Sequence, residues 1–322
     1  MPQAQGSRSR IMIQQETTFK QTPSPADGQI VYFKSETLRY SRNLVTSEII
    51  RGNRNPVKPV LGNMSVEGDI VTDLNAYMGI LFKGALGDVT TTGSNPPYTH
   101  TIKIGDTLPS FTIEKGFTDL GRYHLYNGCK INSLRINVVP EGFQEVTVNV
   151  MGAKESVNTT SFDTTPTDLG FQPFDGFMIA TVEEGGTTLG YATAVDGLTI
   201  TNNLDGNSYV IGGQGERRYL PEGIVGVSGT LRVLFESGGL YAKALNSTES
   251  SLKIVYQRGN GSGTAGNEYL EIFIPELIYQ PQAPTIAGSG GIVVELPFQA
   301  FYRASTQQSA IVVTIKNTQA TL

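Results

Sequence analysis

Few residues of this chain belong to the types that usually carry out catalysis or bind metals. It has two histidines, His100 and His124, and one cysteine, Cys129. A histidine can act as a general base or a metal ligand, and a cysteine thiolate can act as a nucleophile. His100 alternates with Ile102 and Ile104 as in a strand, His124 lies among aromatic and aliphatic residues, and Cys129 has no evident activating neighbour. We therefore predict structural roles for all three.

Two further patterns resemble functional sites only in their letters. Residues 261–266, GSGTAG, match the glycine spacing of a dinucleotide-binding loop, but that loop needs a strand before it and a helix after it. A strand-like segment, residues 269–274, follows instead, so we predict a flexible loop. Glu183 and Glu184 point to opposite faces if they lie on a strand, so they cannot form a shared acid–base site. The sequence predicts a protein that is not an enzyme, without catalytic, cofactor-binding or metal sites.

The elements that carry these residues recur along the chain. The three repeated pairs are LRYSRNL (38–44) with LTITNNL (198–204), VEGDI (66–70) with VSGTL (227–231), and ILFKGAL (80–86) with GLYAKAL (239–245). Their order is the same and their offsets are 160, 161 and 159 residues. Matches in one order at near-constant spacing predict two similar domains in tandem.

The composition is compatible with two domains of ordinary size. The 322 residues can bury two cores, and the lone cysteine excludes an internal disulfide. The first residues lack the pattern of a signal peptide, and no apolar run has the roughly 18 residues needed to span a bilayer. We expect a soluble protein made in a reducing compartment, with no membrane anchor.

The dominant hydrophobic period is two residues, which is typical of half-buried strands. The clearest examples are LRINV (134–138), VTVNV (146–150), LEIFI (270–274) and IVVTIK (311–316). A short helix is predicted with Asp73 as its N-cap, Leu74, Tyr77, Ile80 and Leu81 on one face, and Gly87 beyond its end. A second is expected near residues 240–245. The predicted fold is mainly β, with two tandem similar β-sandwich or barrel domains, each with a short flanking α-helix.

Domain boundaries follow from the polar segments. Residues 1–28 are predicted to be a flexible N-terminal tail, residues 29–160 the first β domain and residues 161–322 the second. Long excursions at 42–60 and 205–225 occupy matching places in the two copies, so we expect them to reach neighbouring subunits, with mobile surface loops as the alternative. The candidate inter-subunit contacts are the basic side chains Arg42, Arg51, Arg54, Lys58, Arg217 and Arg218.

Four runs of sequence resemble those of a known protein family. They are GDTLPSFTIEKGF (105–117), FDGF (174–177), LPEGIVGVSGTL (220–231) and GGIVVELPFQAFY (290–302). In this order they are similar to tail tube proteins of long-tailed bacteriophages, over residues 30–316. The resemblance implies a structural virion protein, made in the host cytoplasm, that stacks as rings into a hollow tail tube, contacts other tail proteins and lets genomic DNA pass through.

The residue pattern allows more detailed expectations. Joining subunits edge to edge into a ring would remove open sheet edges and leave a polar strand face lining the lumen. A neutral or acidic lining would let DNA slide without sequence-specific contact, and the net charge of −5 is compatible with this. Two domains per chain predict a trimeric ring with pseudo-sixfold symmetry. The alternative is six chains, each with one domain in the wall.

A different class of protein shares many of these features. A two-domain β-sandwich binding module, such as a carbohydrate-binding adhesin, would also be rich in strands and turns and poor in catalytic groups. Such modules usually present exposed aromatic platforms, often of tryptophan, and this chain has no Trp. A β-sandwich hydrolase is less favoured still, because no convergent acid–base or metal constellation can be assembled from the sequence.

Overall fold

The structure, a computed structural model, describes residues 3–286 and 288–322. Strands account for 47% of the chain and two short α-helices are present in the described part, so the prediction of a mainly β protein is confirmed. The strands before residue 160 are β1 (Ser9–Gln15), β2 (Gln29–Val31), β3 (Ser35–Glu36), β4 (Arg39–Val45), β5 (Val60–Asp73), β6 (Gly87–Thr92), β7 (Tyr98–Ile104), β8 (Phe111–Phe117), β9 (Arg122–Val138), β10 (Glu145–Gly152) and β11 (Lys154–Asn158).

The strands after residue 160 are also mostly short, and they pair antiparallel with one another. The later strands are β12 (Ile179–Glu184), β13 (Thr187–Thr188), β14 (Ala192–Thr201), β15 (Gly226–Leu234), β16 (Ser250–Gln257), β17 (Tyr269–Tyr279), β18 (Val293–Ala300) and β19 (Val312–Asn317). Helix α1 spans Gly79–Leu86 and helix α2 spans Gly239–Leu245. Short 3-10 turns lie at Gly6–Arg8 and Gly176–Met178.

Eight strands form one continuous antiparallel sheet across the molecule. Their order is β4-β5-β10-β9-β14-β15-β18-β17. The first four come from the first half of the chain and the last four from the second half. The halves meet where β9 pairs with β14, for example at Leu134 opposite Ile200. One chain thus contains a sheet-to-sheet junction between its own two halves.

A second set of pairings has the same order in each half. In the first half it is β2-β1-β8-β9-β11, and in the second half it is β13-β12-β16-β17-β19. The long strands β9 and β17 belong to both sets, because their beginnings pair in this second set and their ends pair in the eight-stranded sheet.

One hairpin breaks this correspondence. Strands β6 and β7 follow α1 in the first half, but β7 pairs along β19 of the second half, with Ile102 opposite Val313. His100 lies on β7 and is buried. The two halves are therefore joined at two separate ladders.

Alternating apolar side chains build the core, as the period of two predicts. Val146, Val148 and Val150 of β10 are buried, whereas Thr147 and Asn149 between them are partly exposed. The repeated glycines serve close packing: a Cβ atom at Gly68 would lie 2.4 Å from the backbone of Leu38. Branched apolar residues on one face of each strand pack together, and the other face stays polar.

Two local predictions differ from the structure. Residues 9–15 fall within the predicted flexible tail of residues 1–28, yet they form strand β1, in which Ile11, Met12 and Ile13 are buried. Their partner β8 lies about a hundred residues away, and such distant pairing leaves no local signal. Helix α1 begins at Gly79 instead of after Asp73, which ends β5 and lies 2.5 Å from the ammonium group of Lys34.

Candidate functional site

One face of the eight-stranded sheet carries a regular array of polar residues, which we call the polar face. On every strand except β4 its residues lie next to buried ones, and none of the residues that define it is buried. We define the polar face by Arg39, Ser41, Ser65, Glu67, Asp69, Ser133, Arg135, Thr147, Asn149, Met151, Asp196, Thr199, Thr201, Ser228, Thr230, Arg232, Glu295, Pro297 and Gln299.

Charges on the polar face are few and mostly compensated within it. Arg232 lies between two acids, 2.7 Å from Asp196 and 2.9 Å from Glu295. Asn149 donates a hydrogen bond of 2.7 Å to Asp69. Four acids and three arginines are present among the residues that define the face, so its formal charge is close to zero and slightly negative.

Part of the polar face is concave. An open cleft of about 1090 Å³ lies over the second half of the sheet, lined among others by Arg135, Thr230, Pro297 and Gln299. The hydroxyl, amide and charged groups along it are spaced by the strand pairing and do not converge on one point. This arrangement can present an extended wetted surface, and it does not resemble an enclosed ligand pocket.

The two outer edges of the eight-stranded sheet are open in the isolated chain. At one end, β4 pairs with β5 alone, and its residues Leu44 and Val45 are exposed. At the other end, the ladder between β17 and β18 stops at a 2.7 Å bond from the Gln280 amide to the Pro297 carbonyl. Residues 281–286 then continue without strand pairing. Unpaired edges of this kind favour pairing with another strand.

Residues 202–225, which we call the strap, run from the end of β14 across the first half of the chain. The Lys130 ammonium group is buried and lies 2.5 Å from Glu222, and it also donates to the Leu220 carbonyl. The hydroxyl of Tyr209 donates to the Met64 carbonyl at 2.6 Å. Hydrogen bonding from Lys130 and from the Leu108 amide outweighs the effect of burial and lowers the pKa of the Glu222 carboxyl.

Arg217 lies at the centre of the strap and inside the chain. Its guanidinium donates to the carbonyls of Gly152 and Gly206 at 2.9 and 2.8 Å, and it forms an ion pair with Glu67. The side chain is buried, so the predicted contact to another subunit does not apply to Arg217: it fastens the strap to β5 and β10 of the same chain. Its neighbour Arg218 is exposed.

The matching loop of the first half, residues 46–59, is exposed along most of its length, and we call it the arm. Arg51 bonds only within the arm, to the carbonyls of Asn55 and Pro56, whereas Arg54 and Lys58 extend into solvent. At the base of the arm, the Arg42 side chain donates to the Gly62 carbonyl at 2.6 Å. The structure does not bring these four cations together into one cluster.

Cys129, His100 and residues 261–266 are the positions at which residue type or spacing could suggest chemistry. The Cys129 thiol is buried and burial raises its pKa, which disfavours the reactive thiolate. Burial lowers the pKa of His100, whose ring nitrogens face the Thr91 hydroxyl and the Gln319 carbonyl. Residues 261–266 form a loop between two strands. Within the described ranges, the acidic, histidine and cysteine side chains make no cluster suited to a metal ion.

Sequence reasoning located the long loops but missed the residues that anchor the strap. Lys130, Glu222 and Asn202 read as ordinary strand or loop residues in the sequence. Asn202 is nevertheless buried, and its side chain donates to the carbonyls of Ala85 and Ile131 at 3.0 and 2.9 Å. The sequence around Lys130 does not indicate that this side chain is buried, because its partner Glu222 lies 92 residues away.

Comparison with known protein families identifies one that matches most of the chain. The family model described as phage tail tube protein matches residues 6–300. No curated protein matches the chain. No helix in the part that the structure describes is long and apolar enough to cross a membrane. A match over most of the chain shows the family, and membership implies a structural component of the virion tail that associates with itself and with other tail proteins. The chain belongs to the phage tail tube protein family.

Proposed function

We propose that this protein polymerises as stacked rings into a tail tube whose lumen is lined by the polar face and conducts genomic DNA. The observation that carries the proposal is the junction of β9 with β14, where two four-strand units of the same order join edge to edge within one chain. We take these units as two copies of one module, the first from β1 to β11 and the second from β12 to β19. Repeating the same joint between chains would close a ring.

The size of the duplex favours three chains per ring. With a strand spacing of about 4.8 Å and a tilt of about 40°, the strands of three chains, roughly 24 in all, form a barrel about 50 Å across at the backbone. Inward side chains leave a lumen of about 40 Å, wide enough for a hydrated duplex of roughly 20 Å. Two chains would leave only about 20 Å by the same geometry. The trimer is thus the smallest ring that fits.

The charge of the polar face suits a conduit better than a binding site. Duplex DNA carries one negative charge per roughly 1.7 Å, so each cation that neutralises a phosphate strengthens binding. Arg232 is paired with acids on its own face, and acids slightly outnumber arginines there. The wall therefore holds the duplex weakly and without reading its sequence.

Electron microscopy of the concentrated, purified protein tests the proposal. We expect hollow filaments or rings with three chains around the axis, and a solubilised ring with about three times the mass of the 34.7 kDa chain. Six chains per ring would exclude the trimer and keep the tube. Particles that stay single at every concentration would exclude the tube itself. Family membership does not favour the alternative of a carbohydrate-binding module.

We further propose that the chain is made in the host cytoplasm and that the exposed basic side chains serve contacts between subunits. These are the exposed Arg51, Arg54, Lys58 and Arg218, together with Arg42, which lies on β4 and is partly exposed. Their exposure supports this role, because side chains that project from a long loop can reach a neighbour at little cost to the fold. Replacing Arg51 and Arg54 together with serine should weaken tube formation. Unchanged filament formation by that variant would exclude a role for these two.

A further inference from the structure

Equivalent positions in the two halves differ sharply in burial. Leu204, at the start of the strap, is 9% exposed, whereas Leu44, its counterpart in the repeat, is 65% exposed. Leu86, the last residue of α1, is 1% exposed, whereas Leu245, the last residue of α2, is 57% exposed. Leu44 on β4 and Leu245 at the end of α2 are thus left uncovered.

The surroundings of the buried Leu204 and Leu86 show what the exposed Leu44 and Leu245 lack. Asn202 of the strap reaches α1 and donates to the Ala85 carbonyl at 3.0 Å. The strap therefore lies over the end of α1, beside the β9–β14 pair. In the repeat, Arg42 takes the place of Asn202, and Ala244 of α2 takes the place of Ala85. Within the described ranges, no loop covers α2 in the same way, since only its residues Leu240 and Ala244 are buried.

The open edges of the sheet complete the same pattern. β14 has β9 at its side, whereas β4, the matching first strand of the other half, has no strand there among residues 3–286 and 288–322. β9 continues through residues 133–138 to make that pair. The matching end of β17 continues as residues 281–286, which lie unpaired at the opposite edge of the sheet. Each chain therefore carries β4 at one edge of the eight-stranded sheet and residues 281–286 at the opposite edge. These are the two partners of a junction that the single chain leaves unformed.

We propose that β4 and the arm of one chain dock on α2 and residues 281–286 of a second copy, reproducing between chains the junction that β14 and the strap make within a chain. Residues 281–286 lie extended beside β4, with Pro281 and Pro284 donating no ladder hydrogen bond, and Leu44 and Leu245 become buried. Arg42 donates to the carbonyls at the end of α2, where a cation is favoured. This inference rests on the proposed ring. A head-to-tail contact between identical chains forms a closed ring only when the rotation from one chain to the next brings the last chain back to the first.

The first test separates the two surfaces. Leu44→Glu and Leu245→Glu each alter a side chain that is mostly exposed in the single chain, so both variants should fold with an unchanged melting temperature. We expect each alone to need at least about tenfold more protein to form rings or tubes, because a buried carboxylate is costly. Val157→Glu, 54% exposed on β11 and outside both surfaces, is the matched control and should assemble normally.

Mixing the two variants gives a sharper result. Leu44→Glu keeps an intact α2 surface and Leu245→Glu keeps an intact arm, so one contact between them is still possible. Chemical crosslinking of the equimolar mixture should stop at the dimer, with no ring. Rings in the mixture, or crosslinked species no different from those of each variant alone, would overturn the inference.

A direct measurement of the strand pair does not depend on any loss of assembly. Ser41→Cys and Gln282→Cys, combined in one chain, place thiols at opposite edges of the eight-stranded sheet, which are roughly 30 Å apart within one chain. A short bismaleimide can therefore link them only between chains. Cys129 is buried and does not compete. We expect crosslinked dimers and trimers from assembled protein, and single chains from Ser41→Cys alone.

The outcomes distinguish the inference from the function on which it rests. Tubes that form normally but give no Ser41–Gln282 crosslink, or tubes formed by Leu44→Glu at the concentration of the unmodified protein, overturn this junction and leave the tail tube intact. An unmodified protein that never forms rings or tubes overturns both.

Discussion

The strap and the arm follow matched strands of the two halves, yet their surroundings are opposite. The strap is fastened by Arg217 and by the Lys130–Glu222 pair, and Leu204 at its start is buried. Leu44, the counterpart of Leu204, lies on β4 just before the arm and is largely in solvent. The difference teaches that burial at this position depends on what packs beside it, and not on the motif itself. β14 has β9 beside it, whereas among the described residues only β5 pairs with β4.

The largest expected effect comes from releasing the strap from β5 and β10. Arg217→Ala removes a buried guanidinium from three backbone carbonyls and from the half-exposed Glu67, and each buried carbonyl left unpaired costs about 1–3 kcal/mol. We expect a loss of about 3 kcal/mol in the free energy of unfolding, measured by urea denaturation. Arg218→Ala, at the exposed neighbouring position, should change it by less than about 0.5 kcal/mol. Equal effects of the two substitutions would contradict the strap's role.

A matched pair of substitutions to alanine compares Leu204 with Leu44, which occupies the equivalent position in the repeat. Leu204→Ala should destabilise the single chain by about 2 kcal/mol, because it leaves a cavity under the strap. Leu44→Ala should leave the stability of the single chain unchanged to within about 0.5 kcal/mol. Thermal unfolding of the unassembled protein measures both. A similar loss at Leu44 would show that the arm is packed within its own chain.

The paired glycines of the repeat sharpen the comparison at smaller scale. A Cβ atom at Gly68 would meet the backbone of Leu38 at 2.4 Å, whereas at Gly229 it would meet the ring of Phe298 at 2.8 Å. A ring can turn aside more easily than a backbone can. Gly68→Ala should therefore cost about 2 kcal/mol and Gly229→Ala about 1 kcal/mol in urea unfolding. The reverse order would indicate that β4 is free to move away from β5.

The smallest expected effect concerns the ladder between β7 and β19. Burial lowers the pKa of His100 below its usual value, so the unfolded chain binds more protons than the folded chain as the pH falls through about 6.5. The free energy of unfolding therefore decreases on acidification from about pH 7 to about pH 5. His100→Gln should show a smaller decrease, measured by urea unfolding at both values. His124→Gln, at a partly exposed position, is the control, and an equal change there would exclude His100 as the source.

Local sequence patterns predicted much of the architecture. A period of two residues located strands such as β10, and the three repeated pairs lie mainly on β4 and β14, on β5 and β15, and on the two helices. The second helix, expected near residues 240–245, is α2. These features depend on residues close together in the chain, where alternation, turn glycines and helix ends act directly on the backbone.

Long-range pairing could not be predicted in the same way. Strand β1 was assigned to a tail because its partner β8 is distant in sequence, and the crossing of β7 to β19 has no local signal. Arg217 was expected on an outer surface because a charged loop residue is usually solvated. Its burial depends on carbonyls of Val66 and Gly152, which only the folded sheet brings near the strap.

The hairpin that β6 and β7 lend to the second half has a consequence for cleavage of the chain. Residues 159–175, between β11 and the following 3-10 turn, include the exposed Thr164 and Thr165 and are the natural place for a protease to cut. A cut there would leave two fragments that still share the β7–β19 and β9–β14 ladders. The nicked protein should therefore stay together without its peptide link, and a wall built from it would survive proteolysis.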